Sequence, residues 1–269
     1  VLKNSIMAPP GHILIDCDSS QIEARVLAWF AEQEDLVQMF ANNDPVYEQM
    51  ACDIYSVGLD GVEKTMRDVG KMSILGCGYG MGAARFQAQL AGIGIELSLD
   101  ECRHIVDVYR STKPQVKQLW NSGNRMLAAM IGGDTSFRFG REGVVTVEPS
   151  RQRIILPNSL PLSYHTLRYT DNQFEYKSRY GWNKIYGGKV VENVIQALAR
   201  CIVAWQLVQI HKRYKAVITV HDSVVSCVRI EELDEAKQYI EQVMRTAPSW
   251  AEGVPLNCES GVGRIYGEC

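Results

Sequence analysis

Residues able to form strands stand at the two ends of this chain, and most of what lies between them reads as helix. The run HILID (12–16) leads into Asp18, and SSQIEARVLAWFAEQ (19–33) then takes up helical spacing, with Ile22, Val26 and Trp29 or Phe30 on one side. That pattern predicts a strand feeding a helix. Toward the other end, KAVITV and SVVSCV flank His221 and Asp222 and read as a tight hairpin. Further helices are expected at 45–55, 62–79, 84–91, 99–111, 115–131, 188–213 and 232–246, with Ser98 and Glu101 forming a capping box. Residues 134–186 read as short strands and turns. These elements predict an α+β protein, its sheet built from both chain ends and a helical insertion between them.

At 269 residues and 46% hydrophobic content the chain can fill one large core or two modest ones. It contains no run of eighteen apolar residues, and VLKNSIMAPPGH lacks the order of charged, apolar and small segments of a secretory signal. A cytoplasmic protein with no membrane partner is expected. The eight cysteines (17, 52, 77, 102, 201, 227, 258 and 269) include no C-x-x-C pair, so neither a zinc site nor a disulfide framework is indicated. A net charge of −3 argues against a nonspecific coat for nucleic acid, so a polyanion must be met by local patches. One candidate is FRFGREGVVTVEPSRQR (137–153), where Arg138, Arg141, Arg151 and Arg153 alternate with apolar and turn residues as in a hairpin.

The stretch GVEKTMRDVGKMSILGCGYGMG (61–82) spaces Arg67, Lys71, Leu75 and Tyr79 four residues apart. Each four-residue step returns to nearly the same helical face, so the four side chains form one stripe. Asp60 and Glu63 imitate a capping box at its start. Two cations at i, i+4 repel by roughly 0.2–0.5 kcal/mol, and Gly70 in mid-helix costs about 1 kcal/mol against alanine. An anion with a flat, stackable end suits such a stripe: phosphate on the cations, a base or sugar against Leu75 and Tyr79.

Asp18 stands where a strand meets a helix and Asp222 at a hairpin tip, both positions from which a carboxylate reaches a metal as readily as it caps a turn. Brought together, the two would repel unless a divalent cation sat between them, and Mg²⁺ prefers a few carboxylates plus substrate phosphates. That is the arrangement of a two-metal phosphoryl-transfer site. Asp16, two residues earlier on the same strand face, is a rival ligand. Glu23 also completes a capping box from Ser20. Lys189, Glu192, Asn193, Gln196 and Arg200 form a polar stripe on the helix beginning near 188.

DSSQIEARVLA, RDVGKMSILGCGYGMG and VHDSVV resemble, in order and approximate spacing, motifs A, B and C of the family A DNA polymerases, those similar to bacterial DNA polymerase I. The likeness continues through IVDVYRSTKPQVKQLW, ILPNSLPLSY and YGGKVVENVIQALAR, the last two resembling bacteriophage members most. It covers essentially the whole chain. The resemblance implies a palm at 1–32 and 134–269, fingers at 33–133, and no thumb. It implies that Asp18, Asp222 and the backbone carbonyl of Ser19 bind two Mg²⁺ ions, for which Mn²⁺ can substitute. Arg67 and Lys71 would hold the triphosphate of the incoming dNTP, with Lys71 also catalytic, and Tyr79 would end the finger helix beside the templating base. Leu75 and Gln21 join the nucleotide contacts, and Glu23 crowds the sugar 2′ position. His221 would sit beside the primer terminus and Gln196 in the primer-template minor groove, with Arg25 and Asn193 as further DNA contacts.

Three positions depart from the family pattern. Leu75 stands where an aromatic is usual, Ser223 where a glutamate follows the motif C aspartate, and Glu192 where an asparagine is often seen. The expected activity is template-directed DNA synthesis in the cytoplasm, that of a host if the chain is phage-encoded. Expected partners are primer-template DNA, dNTPs, and an upstream thumb and exonuclease region or separate replication proteins. A single-subunit RNA polymerase and an inactive replication scaffold are the alternatives, and a metal-dependent nuclease shares only the paired carboxylates.

Overall fold

The computed structural model describes residues 3–133 and 136–269; Val1, Leu2 and residues 134 and 135, with which the expected second palm segment begins, lie outside it. In chain order the helices are α1 (Ile22–Phe30), α2 (Glu34–Asn42), α3 (Val46–Tyr55), α4 (Lys64–Cys77), α5 (Ala83–Ala91), α6 (Leu99–Thr112), α7 (Pro114–Gly132), α8 (Gly187–His211) and α9 (Leu233–Met244). The strands are β1 (His12–Ser19), β2 (Thr146–Glu148), β3 (Arg153–Ile155), β4 (Pro161–Ser163), β5 (Arg168–Thr170), β6 (Gln173–Ser178), β7 (Gly181–Ile185), β8 (Lys215–Val220), β9 (Ser223–Arg229) and β10 (Cys258–Gly263). They gather into two compact units, Val1–Arg25 with Ala197–Cys269, and Val26–Gln196.

The first unit is built on an antiparallel sheet of order β10-β1-β9-β8, so both chain ends contribute to it as the sequence predicts. On one face Ile15, Cys17, Val224, Val228 and Cys258 are buried, and Cys258 Sγ reaches the Glu241 carbonyl of α9 at 3.6 Å. On the other, Leu14 and Val225 pack with Ala8 and Tyr266, and further along the same face Asp16 and Asp18 replace apolar residues. The sheet is therefore dry beneath and changes from apolar to acidic along its upper face. β10 escapes sequence reading because CESGVG has two glycines. They are needed for close approach: a Cβ at Gly261 would lie 2.3 Å from the Cys269 backbone, where the chain folds back over the strand.

In the second unit α4 packs on α3 at backbone distance. A Cβ on Gly70 would stand 2.2 Å from the Tyr47 carbonyl oxygen and 3.1 Å from the Ala51 nitrogen. The mid-helix glycine that looks costly by propensity is thus a packing requirement. The glycines of YGGK act likewise: a Cβ on Gly187 would meet the Trp120 carbonyl oxygen at 1.8 Å, and one on Gly188 the Tyr79 carbonyl at 2.3 Å. Two small antiparallel sheets, β2-β3-β4 and β5-β6-β7, complete the unit.

Three local expectations need correction. The Ser98–Glu101 capping box forms, but the Asp60–Glu63 box does not, because Leu59–Gly61 is a separate short 3₁₀ turn and Glu63 itself occupies the N-cap without a side-chain bond. The Ser20 amide donates to the Asn257 carbonyl at 2.9 Å, tying the turn before α1 to the chain beside β10. α2 was not expected; Glu32 takes a left-handed φ of 59° that ends one helix, and a second begins at once, burying Leu36, Val37 and Phe40. The arginines of 137–153 do not form a free cationic patch. Arg138 pairs with Glu142, Arg141 with Glu34, and Arg151 and Arg153 both with Glu148. Of that stretch only 146–148 and 153–155 form a hairpin.

α8 is long and apolar enough to cross a membrane by composition, yet Val190, Val191, Val194, Ile195, Leu198 and Ile202 are buried in the protein, as expected of a core helix.

Gly70→Ala should destabilise the protein by about 1–3 kcal/mol, because overpacking against backbone exceeds the roughly 1 kcal/mol gained in helix propensity. Thermal melting checks this; an unchanged or raised Tm would show that α3 and α4 can separate at no cost.

Candidate active site

β1 and β9 pair so that Asp18 faces Ser223, and Glu259 on β10 faces Asp18 from the other side. Ser19 donates its amide to the Asp222 carbonyl at 3.2 Å, tying the end of β1 to the two-residue turn between β8 and β9. His221 in that turn has a left-handed φ of 54°. The result is a pair of carboxylates, Asp18 and Asp222, within hydrogen-bonding reach of each other. Burial, then the charge and hydrogen bond of Asp222, then the charges of Asp16 and Glu259 push the Asp18 carboxyl up to about 6. Asp16 is also raised, chiefly by burial, and is eased by Ser223 and Lys3. Its Oδ1 and the Ser223 hydroxyl are nonetheless buried without a fully formed hydrogen bond, so the help from Ser223 is weak.

Among the described residues no three His, Cys, Asp or Glu side chains converge as a complete metal cage. Two neighbouring carboxylates beside an exposed turn still fit a hard divalent cation that takes its remaining oxygens from water or phosphate. Glu259 was not singled out from the sequence; only its register opposite Asp18 brings it near, and β10 carried no legible strand pattern.

The turn into α1 is braced by Arg25, which is 4% exposed. Its guanidinium donates to the carbonyls of Ser20 (2.8 Å) and Pro255 (2.7 Å) and to Gln21 Oε1 (3.3 Å). Gln21 is exposed with a φ of 50°, and Glu23 is half-buried in the first helical turn. Thus Arg25 reaches the site through the loop it holds.

On α4, Arg67, Lys71 and Leu75 all lie on the exposed face, while Val69, Gly70, Ser73, Ile74 and Cys77 face inward. Arg67 Nε donates to Glu48 at 2.6 Å and its guanidinium lies 5.6 Å from the Tyr47 ring centre. Lys71 Nζ stands 6.0 Å from the same ring. The helix stops at Cys77, and Tyr79 follows in a turn, half-buried. The stripe therefore exists, with its fourth member just beyond the helix.

Beside this turn, within the same unit, a cavity of about 380 Å³ is lined by Arg110, Lys117, Trp120, Asn124, Tyr186 and the glycines at 80 and 188. Trp120 donates to the Gly78 carbonyl at 2.7 Å, and Asn124 accepts from the Gly187 amide at 2.7 Å. Sequence reading passed over these residues; the paired glycines of YGGK were the available signal. On α8, Gln196 is exposed, Asn193 donates to the Tyr164 hydroxyl at 3.3 Å, and Lys189 pairs with Glu192 at 2.8 Å.

A family model described as DNA polymerase family A matches residues 1–268. The chain is 26% identical, over 99% of its length, to the DNA polymerase of Bacillus phage SP02, of which it covers 43%. It is 29% identical, over 93% of its length, to DNA polymerase I of Caldicellulosiruptor bescii, of which it covers 26%. It therefore spans less than half of these relatives. Among solved structures it is similar to the POL domain of Pol1 from M. smegmatis in complex with DNA primer-template and dNTP, with a TM-score of 0.66 and 18% identity over 99% of this chain and 42% of that one. The last likeness bears on the fold.

The folded protein holds the Asp18 proton to about pH 6 whereas the unfolded chain releases it near 3.8. Ionisation of Asp18 thus subtracts stability as pH rises from about 4 to 6. Without divalent cation, Asp18→Asn should raise stability near neutral pH by about 0.5–1 kcal/mol, discounted for solvent screening, and by less below pH about 4. Melting curves across this range check it; a mutant less stable at neutral pH than at acid pH, relative to wild type, would contradict the repulsion.

Proposed function

Since the chain belongs to DNA polymerase family A, we propose that it performs template-directed DNA synthesis, transferring a nucleotidyl group from a dNTP to a primer 3′ hydroxyl with release of pyrophosphate. The observation that carries this reading is the Asp18–Asp222 pair, which strand register forces together despite mutual repulsion. Asp18, Asp222 and the backbone carbonyl of Ser19 would hold two Mg²⁺ ions, or Mn²⁺ in their place. Bound there, the cations supply positive charge to the attacking and leaving oxygens.

The remaining roles belong to the chain. Lys71 has no ion pair among the described residues and offers its ammonium to the triphosphate, where it also neutralises charge on departing pyrophosphate. Arg67 exchanges Glu48 for a phosphate oxygen, a geometry its guanidinium suits. Leu75 and Tyr79 flank the sugar and base, and Gln21, presented by the Arg25-braced turn, adds a polar contact. Glu23 closes the space a ribose 2′ hydroxyl needs. His221, exposed on its strained turn, attends the primer end, while Gln196 and Asn193 on α8 face the duplex minor groove. The sheet β10-β1-β9-β8 takes the palm role and the helices α2–α7 the fingers role. Primer-template DNA and dNTPs are the partners.

A single-subunit RNA polymerase is the nearest competing reading, and Glu23 favours the deoxyribonucleotide. Asp18→Asn and Asp222→Asn should each lower primer extension by at least about 100-fold while leaving the fold intact. Asp16→Asn should cost far less. Extension by either of the first two within tenfold of wild type in Mg²⁺ would overturn the assignment. Glu23→Ala should shrink discrimination against ribonucleotides by about tenfold, read as a ratio of kcat/KM values. A ratio that stays put removes Glu23 from sugar selection.

A further inference from the structure

The sheet β5-β6-β7 has one inward and one open face. Its register puts Tyr169, Phe174, Tyr176, Asn183 and Ile185 on the first, where Ile185 is buried, Tyr176 meets Tyr164 at 5.4 Å, and Tyr169, on the edge strand and 55% exposed, meets Phe174 at 4.8 Å. The second carries Arg168, Glu175 and Lys184 in one row and Lys177 beside Trp182 in the next. Arg168 lies 3.5 Å over the Trp182 ring while pairing with Glu175. Past Lys177 the turn presents Arg179 and Tyr180, the latter 82% exposed with the Arg179 guanidinium 4.5 Å from its ring centre.

This turn is firmly held. The Ser178 hydroxyl accepts from the Tyr180 amide at 3.1 Å and from Asn183 Nδ2 at 2.7 Å, and the same Nδ2 donates to the Gly181 carbonyl at 2.9 Å. An aromatic ring left in water forgoes the apolar burial that ordinarily rewards it. The charges around it are unbalanced too. Lys177, Arg179 and Lys184 have no ion pair among the described residues, whereas the arginines at 138–153 are all paired with glutamates. On a chain of net charge −3 this is a local cationic face interleaved with flat rings.

We propose that this face binds single-stranded DNA, the unpaired template ahead of the primer end. Tyr180 and the Arg168-covered Trp182 supply stacking surfaces, and Lys177, Arg179 and Lys184 meet the phosphates. Aromatic faces of this kind engage bases that are free to leave a duplex stack, and alternating rings and cations suit a single strand of any sequence. Phosphate alone would need no exposed ring, and an apolar partner would not need the unpaired cations. β7 ends one residue before Tyr186, which lines the 380 Å³ cavity. The inference deepens the polymerase reading by naming a strand the enzyme holds, and its first test needs no synthesis.

Binding of a labelled oligothymidylate to the full chain is measured by fluorescence anisotropy. Lys177→Glu with Lys184→Glu, and separately Tyr180→Ala, should each weaken binding by about tenfold, and the double charge reversal should flatten the salt dependence by about 0.7 per lost phosphate contact. Lys237→Glu on α9 is the control and should change binding little. Ultraviolet cross-links from iodouracil-substituted DNA should map to residues 177–186. Equal affinity in all variants, or cross-links wholly outside this segment, overturns the proposal. If the charge reversals fail to fold, Tyr180→Ala decides alone, since its ring lies outside the core and meets the exposed Arg179. In a second arm, lengthening the unpaired template should enhance primer extension by wild type more than by Tyr180→Ala. If the mutant loses only displacement of a downstream strand, the occupant is that strand and the template assignment is wrong. Absence of synthesis in every protein would count against the polymerase reading and leave the binding result standing.

Discussion

The antiparallel register of β1 against β9 is the constraint on which the site depends. Because side chains alternate across a strand, a slip of one residue would turn Asp18 into the buried layer and Cys17 out of it. Burial of Ile15, Cys17, Val224 and Val228 on one face therefore fixes where the carboxylates stand on the other. The repulsion between Asp18 and Asp222 is tolerated because neither can withdraw without exposing those residues. Ser19 adds a local lock by donating to the Asp222 carbonyl. Apolar packing thus holds an unfavourable electrostatic arrangement in readiness for positive charge.

The helical unit solves a different problem, that of bringing backbones close. Two unrelated causes underlie the irregular composition of α4. Its outward positions carry cations and a leucine open to solvent, while Gly70 on the inner face serves contact with α3. The same economy of space recurs where Gly123, Gly187 and Gly188 let α7, the start of α8 and the turn after α4 meet, with Trp120 and Asn124 bonding across the junction. Rule-breaking residues in one motif need separate explanations, and only geometry separates them.

Much of this was legible in the sequence. The apolar run HILID and the hairpin pattern of KAVITV and SVVSCV identified β1, β8 and β9, and helical periodicity found α3 through α9 within a few residues. The order of the motifs brought Asp18 and Asp222 into one hypothesis that spacing alone could not justify. β10 was hidden because its glycines answer to the folded C-terminus, a tertiary contact without local signature. α2 was hidden because Glu32 adopts φ > 0 where no glycine marks the break. Of the arginines of 137–153, Arg141 looked free because Glu34 is far away in sequence, while Arg138, Arg151 and Arg153 pair with Glu142 and Glu148 of the same stretch, which composition alone did not match to them.

Charge pairing distinguishes the cations that are available from those that are not. Arg67 is held by Glu48, so a phosphate must offer more than a carboxylate already in place, and a bidentate trianion can do so. Lys71, one turn on, has only the distant face of Tyr47. An incoming anion would therefore meet the lysine without displacing anything and the arginine only by exchange. On the proposed reading, that order would make the lysine a site of first encounter and the arginine a test of fit, since a guanidinium leaves a well-placed carboxylate only for oxygens matching its planar geometry. Release of Glu48 from Arg67 also frees a negative charge on α3, so the contact between α3 and α4, already set by Gly70, is where binding of an anion would be felt in the fold.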